Sequence, residues 1–342
     1  MALLKSERTK RPGVCYALTG EGIRLPIIDI THPAFALSLS DAELRELTER
    51  FILGESRLGR LPVQLRNLLL QVYLRGSVLG AGIHQSRGTF MTGMNTYLVK
   101  LGPEMLGELD AKPIDRRIAG SLPALGIRLR LQDIARMMAA AARPALEAEP
   151  GRPLEFIDIA GGPAIDSMNA LIVLQKERPE TLRGRRIGIS VLDRDDAGPA
   201  FGAAALESLR ASGAPLAALC VTFRHVRYDW ADTAPLTSAL EAAENDGALI
   251  VCSSEGGLFE YGADDEILRN LAAIGGWRNV LAVAASVTRD DEVRRHLETT
   301  APSTVHPRGL EVFRKLVEKA GWRIERAIER PLSDHVLLIP CS

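Results

Sequence analysis

From residue 153 to the end of the chain, short apolar runs of strand length alternate with helical stretches. The last two such runs are separated by nothing but a turn. LEFIDIA (154–160), RIGISVLD (186–193), VTFRHVRYD (221–229), ALIVCSS (248–254) and VLAVAASV (280–287) each precede a helical segment. WRIERAIE then passes through a turn at Pro331–Asp334 straight into HVLLIP. Neighbouring parallel strands need a crossover long enough to hold a helix, whereas antiparallel strands need only a turn. The pattern therefore predicts an α/β fold. It is a doubly wound, Rossmann-like sheet of seven strands with helices on both faces, and its terminal hairpin pairs antiparallel at the edge.

The first half reads differently. Ser40, Asp41, Ala42 and Glu43 form a capping box ahead of LRELTERFIL, and Pro62 stands where a helix over VQLRNLLLQVYL can begin. A Gly- and Met-rich stretch, GAGIHQSRGTFMTGMNTYLVKLGPEMLG, precedes a long Ala-rich helix near LQDIARMMAAAARPALEAE. The Pro/Gly cluster at 150–153 marks the boundary. We expect a mainly helical N-terminal lid or substrate domain at 1–150 and a Rossmann-like domain at 151–342. A formal charge of −1 provides no basic face for nucleic acid. Four scattered cysteines without CxxC spacing point to reduced thiols, not to a disulfide framework or a zinc site. No run approaches the roughly 20 apolar residues that span a bilayer, and MALLKSERTKRPG lacks a signal-peptide apolar core. These features describe a soluble cytoplasmic protein whose partner is a small molecule and, at most, a second copy of itself.

In doubly wound sheets, ligands bind beyond the carboxyl ends of the strands. The first strand ends in Asp158 and the turn Ala160-Gly161-Gly162-Pro163, where glycine lets backbone approach a ligand. The second ends in Asp193, an acid able to accept both hydroxyls of a ribose. The third ends in Tyr228-Asp229-Trp230, a carboxylate for an exocyclic amine and an indole to stack on a base. The fourth ends in Ser253-Ser254-Glu255-Gly256-Gly257, with Phe259, Glu260 and Tyr261 close behind. Together they outline a nucleoside-shaped pocket. NAD is disfavoured, because the glycine spacing is wrong and nothing accounts for a second nucleotide.

The succession DIAGGPA, VLD, RYDW and VCSSEGG, closed by GWRIERAIERPLSDHVLLIP, resembles the class I S-adenosylmethionine (SAM)-dependent methyltransferases over about residues 153–340. The resemblance implies SAM as cosubstrate. Asp158 and the Ala160–Gly162 backbone would lie toward its methionine end, Asp193 at the ribose, and Asp229 with Trp230 at the adenine, with Ser253 a further cofactor-binding residue. Asp158 and Gly162 match the family's glycine motif, while Ala160 and Ala164 replace its outer glycines. The long interval from Asp158 to Asp193 implies an extended first helix. The Gly-Gly-Pro turn is also similar to that of nicotianamine synthases. TYLVKLGPEMLG and SSEGGLFEYGADDE resemble segments of azetidine-2-carboxylate synthases, which close a ring on SAM and release methylthioadenosine.

Methyl transfer to a small molecule, of the kind found in biosynthetic secondary metabolism, is the leading expectation. Chemistry at the aminocarboxypropyl arm of SAM is the alternative, and a SAM-binding module without turnover is a third. Tyr97, Glu255 and Tyr261 are the catalytic candidates. Two of them have a plainer reading: Tyr97 as core, with Lys100 solvated, and Glu255 as a cap on the following turn. The plainer reading of Asp193 and Asp229 is as solvated carboxylates, but both fall where the fold places ligands. His84 is either a base near the lid or an ordinary histidine. His225 reads as structural, His335 as a cap on the last strand, and Cys252 as buried and inert. No metal-spaced pair and no Ser-His-Asp spacing stands out.

Overall fold

The computed structural model describes residues 11–60, 62, 64–65, 76–85, 91–300 and 304–341. Apart from residues 64–65, the helix expected after Pro62 lies outside them, as does the side chain of His84. The N-terminal half begins with a small antiparallel hairpin, β1 (Tyr16–Leu18) and β2 (Arg24–Pro26). Then follow α1 (Asp41–Gly59), α2 (Val78–Gln85), α3 (Gly93–Lys100), α4 (Gly102–Glu108), α5 (Pro113–Ala119) and α6 (Leu122–Ala148). The hairpin departs from the helical expectation; six residues of strand leave no periodicity to read. The capping box of α1 forms as expected: Glu43 N–H donates to Ser40 Oγ at 3.2 Å, and Ser40 N–H donates to Glu43 Oε2 at 2.8 Å.

The second half supplies β3 (Leu154–Ile159), α7 (Ile165–Glu177), α8 (Pro179–Leu182), β4 (Arg186–Asp193), α9 (Ala197–Leu209), β5 (Cys220–Arg227), α10 (Ala234–Asn245) and β6 (Leu249–Ser254). It continues through α11 (Leu258–Tyr261), α12 (Asp264–Gly275), β7 (Val280–Thr288), α13 (Glu292–Thr300), α14 (Gly309–Lys319), β8 (Trp322–Glu329) and β9 (Ser333–Pro340). Among the described residues the sheet has seven strands in the order β5-β4-β3-β6-β7-β9-β8. β5, β4, β3, β6 and β7 run parallel, and β9 pairs antiparallel with both β7 and β8. The terminal hairpin thus places its second strand inside the sheet and its first at the edge. The long interval between Asp158 and Asp193 is filled by the added turn of α8 after a helix of ordinary length, not by an extended α7.

Strands buried on both faces must be apolar at successive positions, and β3 shows how the two sides divide. Leu154 and Phe156 join the core that holds α6, α7 and the β1–β2 hairpin, while Ile157 and Ile159 join the core under α10, α12 and α14. The first of these cores runs without a break across Pro150, because α6 lies against the sheet. From Leu129 to Ala135 every residue of α6 is buried, including Arg130, Gln132 and Asp133. Buried polar groups need partners, so this stretch brings polar side chains to the sheet wherever partners await them.

Tyr97 on α3 is one of the largest buried side chains. Its hydroxyl donates to Pro26 O at 2.6 Å and accepts from Ile28 N–H at 3.3 Å. Its ring meets Phe201 edge-on, with centroids 4.9 Å apart. Tyr97→Phe should lower unfolding free energy by about 1–3 kcal/mol, the cost of buried backbone groups left unpaired. Urea denaturation checks this, and an unchanged midpoint would show that the bonds contribute nothing.

Candidate functional site

The order of the sheet reverses at β3, whose neighbours β4 and β6 start crossovers to opposite sides. A crevice opens beyond the carboxyl ends at such a point. There lies a cavity of about 240 Å³, walled by Ala160, Gly161, Gly162, Asp193, Tyr228 and Trp230 on one side and by Lys100, Arg130, Glu255 and Tyr261 on another. Met91, Thr92, Gly93 and Thr96 close it from the N-terminal half.

The turn after β3 is built from left-handed residues. Ala160, Gly162 and Ala164 have φ of 55°, 54° and 51°. The two alanines therefore hold the conformation that glycine would adopt without strain, and the departure from the glycine motif leaves the backbone path intact. A side chain at Gly162 would strike Gly93 Cα at 2.9 Å, and one at Gly198 would strike Gly162 Cα at 2.9 Å. The start of α3, the turn and the start of α9 thus meet backbone to backbone. Beneath the turn, a Cβ at Gly161 would fall 2.2 Å from the Asp158 carboxyl carbon.

Asp193 sits at the end of β4 with its carboxylate on the cavity wall. Oδ2 accepts from Gly162 N–H at 2.7 Å and Oδ1 from Asp195 N–H at 2.8 Å. Each oxygen keeps a second lone pair for a ligand. Burial raises the Asp193 pKa against the lowering effect of these two amides.

At the other end the walls carry a buried charge network. Glu255 pairs with Lys100 and, at 3.0 Å, with Arg130 Nε, whose Nη1 reaches Glu260 at 3.0 Å. Ser286 Oγ lies 3.0 Å from Glu260 Oε1 and donates to Glu255 O at 2.7 Å. Burial would raise the Glu255 pKa, but Lys100 and Arg130 overcome it and hold the carboxyl below its usual range. Burial pushes the Tyr261 phenol up to about 12, helped by Glu260, so it stands as a proton donor. Two cations against two carboxylates leave this end balanced, able to face a cationic ligand without net repulsion.

Several expected site residues lie elsewhere. Asp158 is fully buried under Gly161, outside the cavity wall, and neither of its oxygens has a hydrogen-bond partner among the described residues. Ser253, its register partner on β6, is likewise buried and off the wall, with its hydroxyl unpartnered among the described residues. Asp229 points outward because its neighbour Tyr228 turns in. It accepts from Ala231 N–H at 3.1 Å, faces Arg194 at 3.6 Å, and is exposed and off the cavity wall. Tyr97 is removed from the catalytic candidates, its hydroxyl being bound to the β1–β2 hairpin. Glu255 is neither a turn cap nor a free carboxylate, and Lys100 is buried, not solvated. Arg130 was not foreseen, since one arginine in RLRLQDIARMM looks like any exposed helix charge; its burial follows from the position of α6 alone. Among the described residues no group of three His, Cys, Asp or Glu is placed to hold a metal, and no helix is long and apolar enough to cross a membrane.

The Asp158 carboxyl has its pKa held well above the carboxylate range, first by burial and then by the neighbouring Asp166. A raised folded-state pKa favours the native protein below the unfolded value of about 3.9 and disfavours it as pH climbs. Asp158→Asn should therefore gain melting temperature over the parent progressively as pH rises above that value. Parallel melting curves over the pH range would sink the assignment.

His335 corrects the reading of a cap. It is fully buried in β9, with Nδ1 2.9 Å from Asp133 Oδ2 and Nε2 3.2 Å from Ser333 Oγ. A Ser-His-Asp arrangement is therefore present, although Asp133 stands 202 residues from His335, too far for a spacing to show it.

The strand order, with β9 set antiparallel between β7 and β8, is that of the class I SAM-dependent methyltransferase fold. No protein-family model and no curated protein matches the chain. Among solved structures it is similar to the mitomycin 7-O-methyltransferase MmcR, at 16% identity over 81% of this chain and 71% of that one, TM-score 0.40. It is similar to a pericyclic reaction enzyme at 14% identity, over 90% of this chain and 96% of that one, TM-score 0.43. A third is magnesium protoporphyrin IX methyltransferase (ChlM) from Synechocystis PCC 6803, with bound SAH, at 14% identity over 66% and 92%, TM-score 0.39. Likeness at this level decides nothing about chemistry; the fold rests on the strand order itself.

Proposed function

We propose that the cavity binds SAM and that the protein transfers its methyl group to a small molecule. The observation that carries this reading is the convergence of the Asp193 carboxylate, the left-handed Ala160–Gly162 turn and Trp230 on one cavity at the sheet's reversal point. Asp193 would accept from the ribose hydroxyls through its remaining lone pairs, and Trp230 and Tyr228 would flank the base. The Gly161–Gly162 backbone would run beside the methionine arm. Lys100 and Glu255 offer opposite charges for a zwitterionic amino-acid end, and the balanced network leaves a sulfonium tolerated nearby.

Bound SAM supplies an already activated methyl group, so the protein's task is to position an acceptor in line with it and exclude water. Alignment of this kind can contribute about 7–11 kcal/mol. The N-terminal half does the enclosing through Met91, Gly93 and Thr96. The reading is tested by titrating the protein with SAM calorimetrically, then identifying products by mass spectrometry with and without acceptors. Binding, followed by S-adenosylhomocysteine only when an acceptor is added, is the expected result. Methylthioadenosine released from SAM alone would replace methyl transfer with chemistry at the aminocarboxypropyl arm. Tight binding without any product would leave a SAM-binding module.

A further inference from the structure

A second cavity, of about 170 Å³, adjoins the first: Met91, Thr96, Arg130, Gly256 and Tyr261 belong to the walls of both. Its far wall is the turn from β8 to β9, with Pro331, Leu332 and Ser333 facing Gly126 and Ile127 of α6. The turn closes through Arg330 N–H to Ser333 O at 3.2 Å, and Leu332 in it is left-handed, with φ of 72°. Glycine is the ordinary residue for that conformation, and a branched side chain held there is strained. Strain of this kind gathers where a neighbouring group must be aimed. The neighbour is Ser333.

Behind Ser333 the hydrogen bonds form one line. Arg330 holds Asp133 through Nε–Oδ2 at 2.7 Å and Nη2–Oδ1 at 3.2 Å. Burial would raise the Asp133 pKa, but the bonds from His335 and Arg330 bring it below the usual value, so it is a carboxylate. His335 Nδ1–H therefore donates to Asp133, leaving Nε2 as the acceptor that faces the Ser333 hydroxyl. Burial keeps the imidazole neutral in spite of Asp133, with Arg130 and Arg330 adding to that effect. A neutral imidazole oriented by a carboxylate and bonded to a hydroxyl on a cavity wall is a proton acceptor awaiting a donor.

The geometry points to Ser333, His335 and Asp133 as a proton relay for a hydroxyl-bearing acceptor held in the second cavity. This rests on the methyl-transfer reading above. The acceptor oxygen's lone pair forms the new bond to the methyl carbon of SAM, and the carbon–sulfur bond breaks with its pair going to sulfur. The acceptor's proton passes to Ser333 Oγ as Ser333 passes its own to His335 Nε2. The resulting imidazolium is paired with Asp133 until the proton leaves to water. Ser333 is the group that touches the acceptor; His335 and Asp133 act through it.

Two probe acceptors of one shape, phenol and thiophenol, test the relay. Thiophenol is largely thiolate near neutral pH and has little proton to lose, whereas phenol keeps its own. The full chain, Ser333→Ala and His335→Gln are each given SAM with either probe, and SAM binding is measured in parallel. Gln can keep the bonds to Asp133 and Ser333 but has no basic nitrogen, and Ser333→Ala is a minimal change should His335→Gln fold poorly. The parent should methylate both probes. The variants should bind SAM as the parent does, keep thiophenol methylation within twofold, and lose phenol methylation about 100-fold. Equal loss of both probes would make the cluster merely structural and overturn the relay. So would a parent that binds SAM and methylates thiophenol but not phenol. A parent that binds SAM and methylates neither probe would remove the methyl-transfer reading, not the relay alone. A parent that does not bind SAM at all would instead remove the reading beneath it.

Discussion

Calorimetry on Asp193→Asn should show SAM binding weakened more than a hundredfold, whereas Asp229→Asn should bind within about twofold of the parent. The contrast arises because the two acids stand at the ends of neighbouring strands yet face different surroundings. Asp193 lines the cavity, and each of its carboxylate oxygens is already bonded to one backbone amide with a lone pair to spare. An asparagine there presents N–H groups to Gly162 or Asp195, which are themselves donors, and loses the charge that strengthens bonds to a diol. Two charge-assisted bonds at about 1.5–3 kcal/mol each account for a loss of that size. Asp229 is exposed and bonded to its own turn. Parent-like affinity in Asp193→Asn would refute the placement of the ribose.

The second large effect concerns stability. Glu255→Ala leaves Lys100 buried without its carboxylate, while Arg130 keeps Glu260. Removing one partner of a buried pair costs about 3–5 kcal/mol, because the remaining charge has lost both water and its counter-charge. Denaturant unfolding should therefore show Glu255→Ala far less stable than the parent. The double variant Lys100→Met, Glu255→Leu should recover much of the loss, since neither charge remains to be desolvated. A double variant as unstable as the single would show that packing, not charge, is what Glu255 supplies.

The sheet was legible from the chain because strand-length apolar runs and their helices recur with regular spacing. The two strands without a helix between them announced the terminal antiparallel pair. Asp193 was legible for the same reason: a strand end can be located once its strand is known. The errors fall where a side chain's direction decides. Tyr228, Asp229 and Trp230 are consecutive, and nothing in their identities says which turns inward. Asp158 has the residue type expected beneath a ligand turn, yet Gly161 leaves room only for its carboxyl and sets it under the backbone. Arg130, Asp133 and His335 gave no signal, because their partners come from distant parts of the chain that meet only after α6 has packed against β9.

Under the proposed methyl transfer, the meeting of Gly93, Gly162 and Gly198 limits how the acceptor could change. With no side chain between the start of α3 and the ligand turn, that border cannot be remodelled by substitution; any added atom displaces the cradle itself. Diversification, natural or engineered, is left to the residues beyond these glycines, where Met91, Thr96, Ile127 and Leu332 present replaceable atoms. The glycine contact is thus frozen by the backbone, while the side chains around it are open to selection.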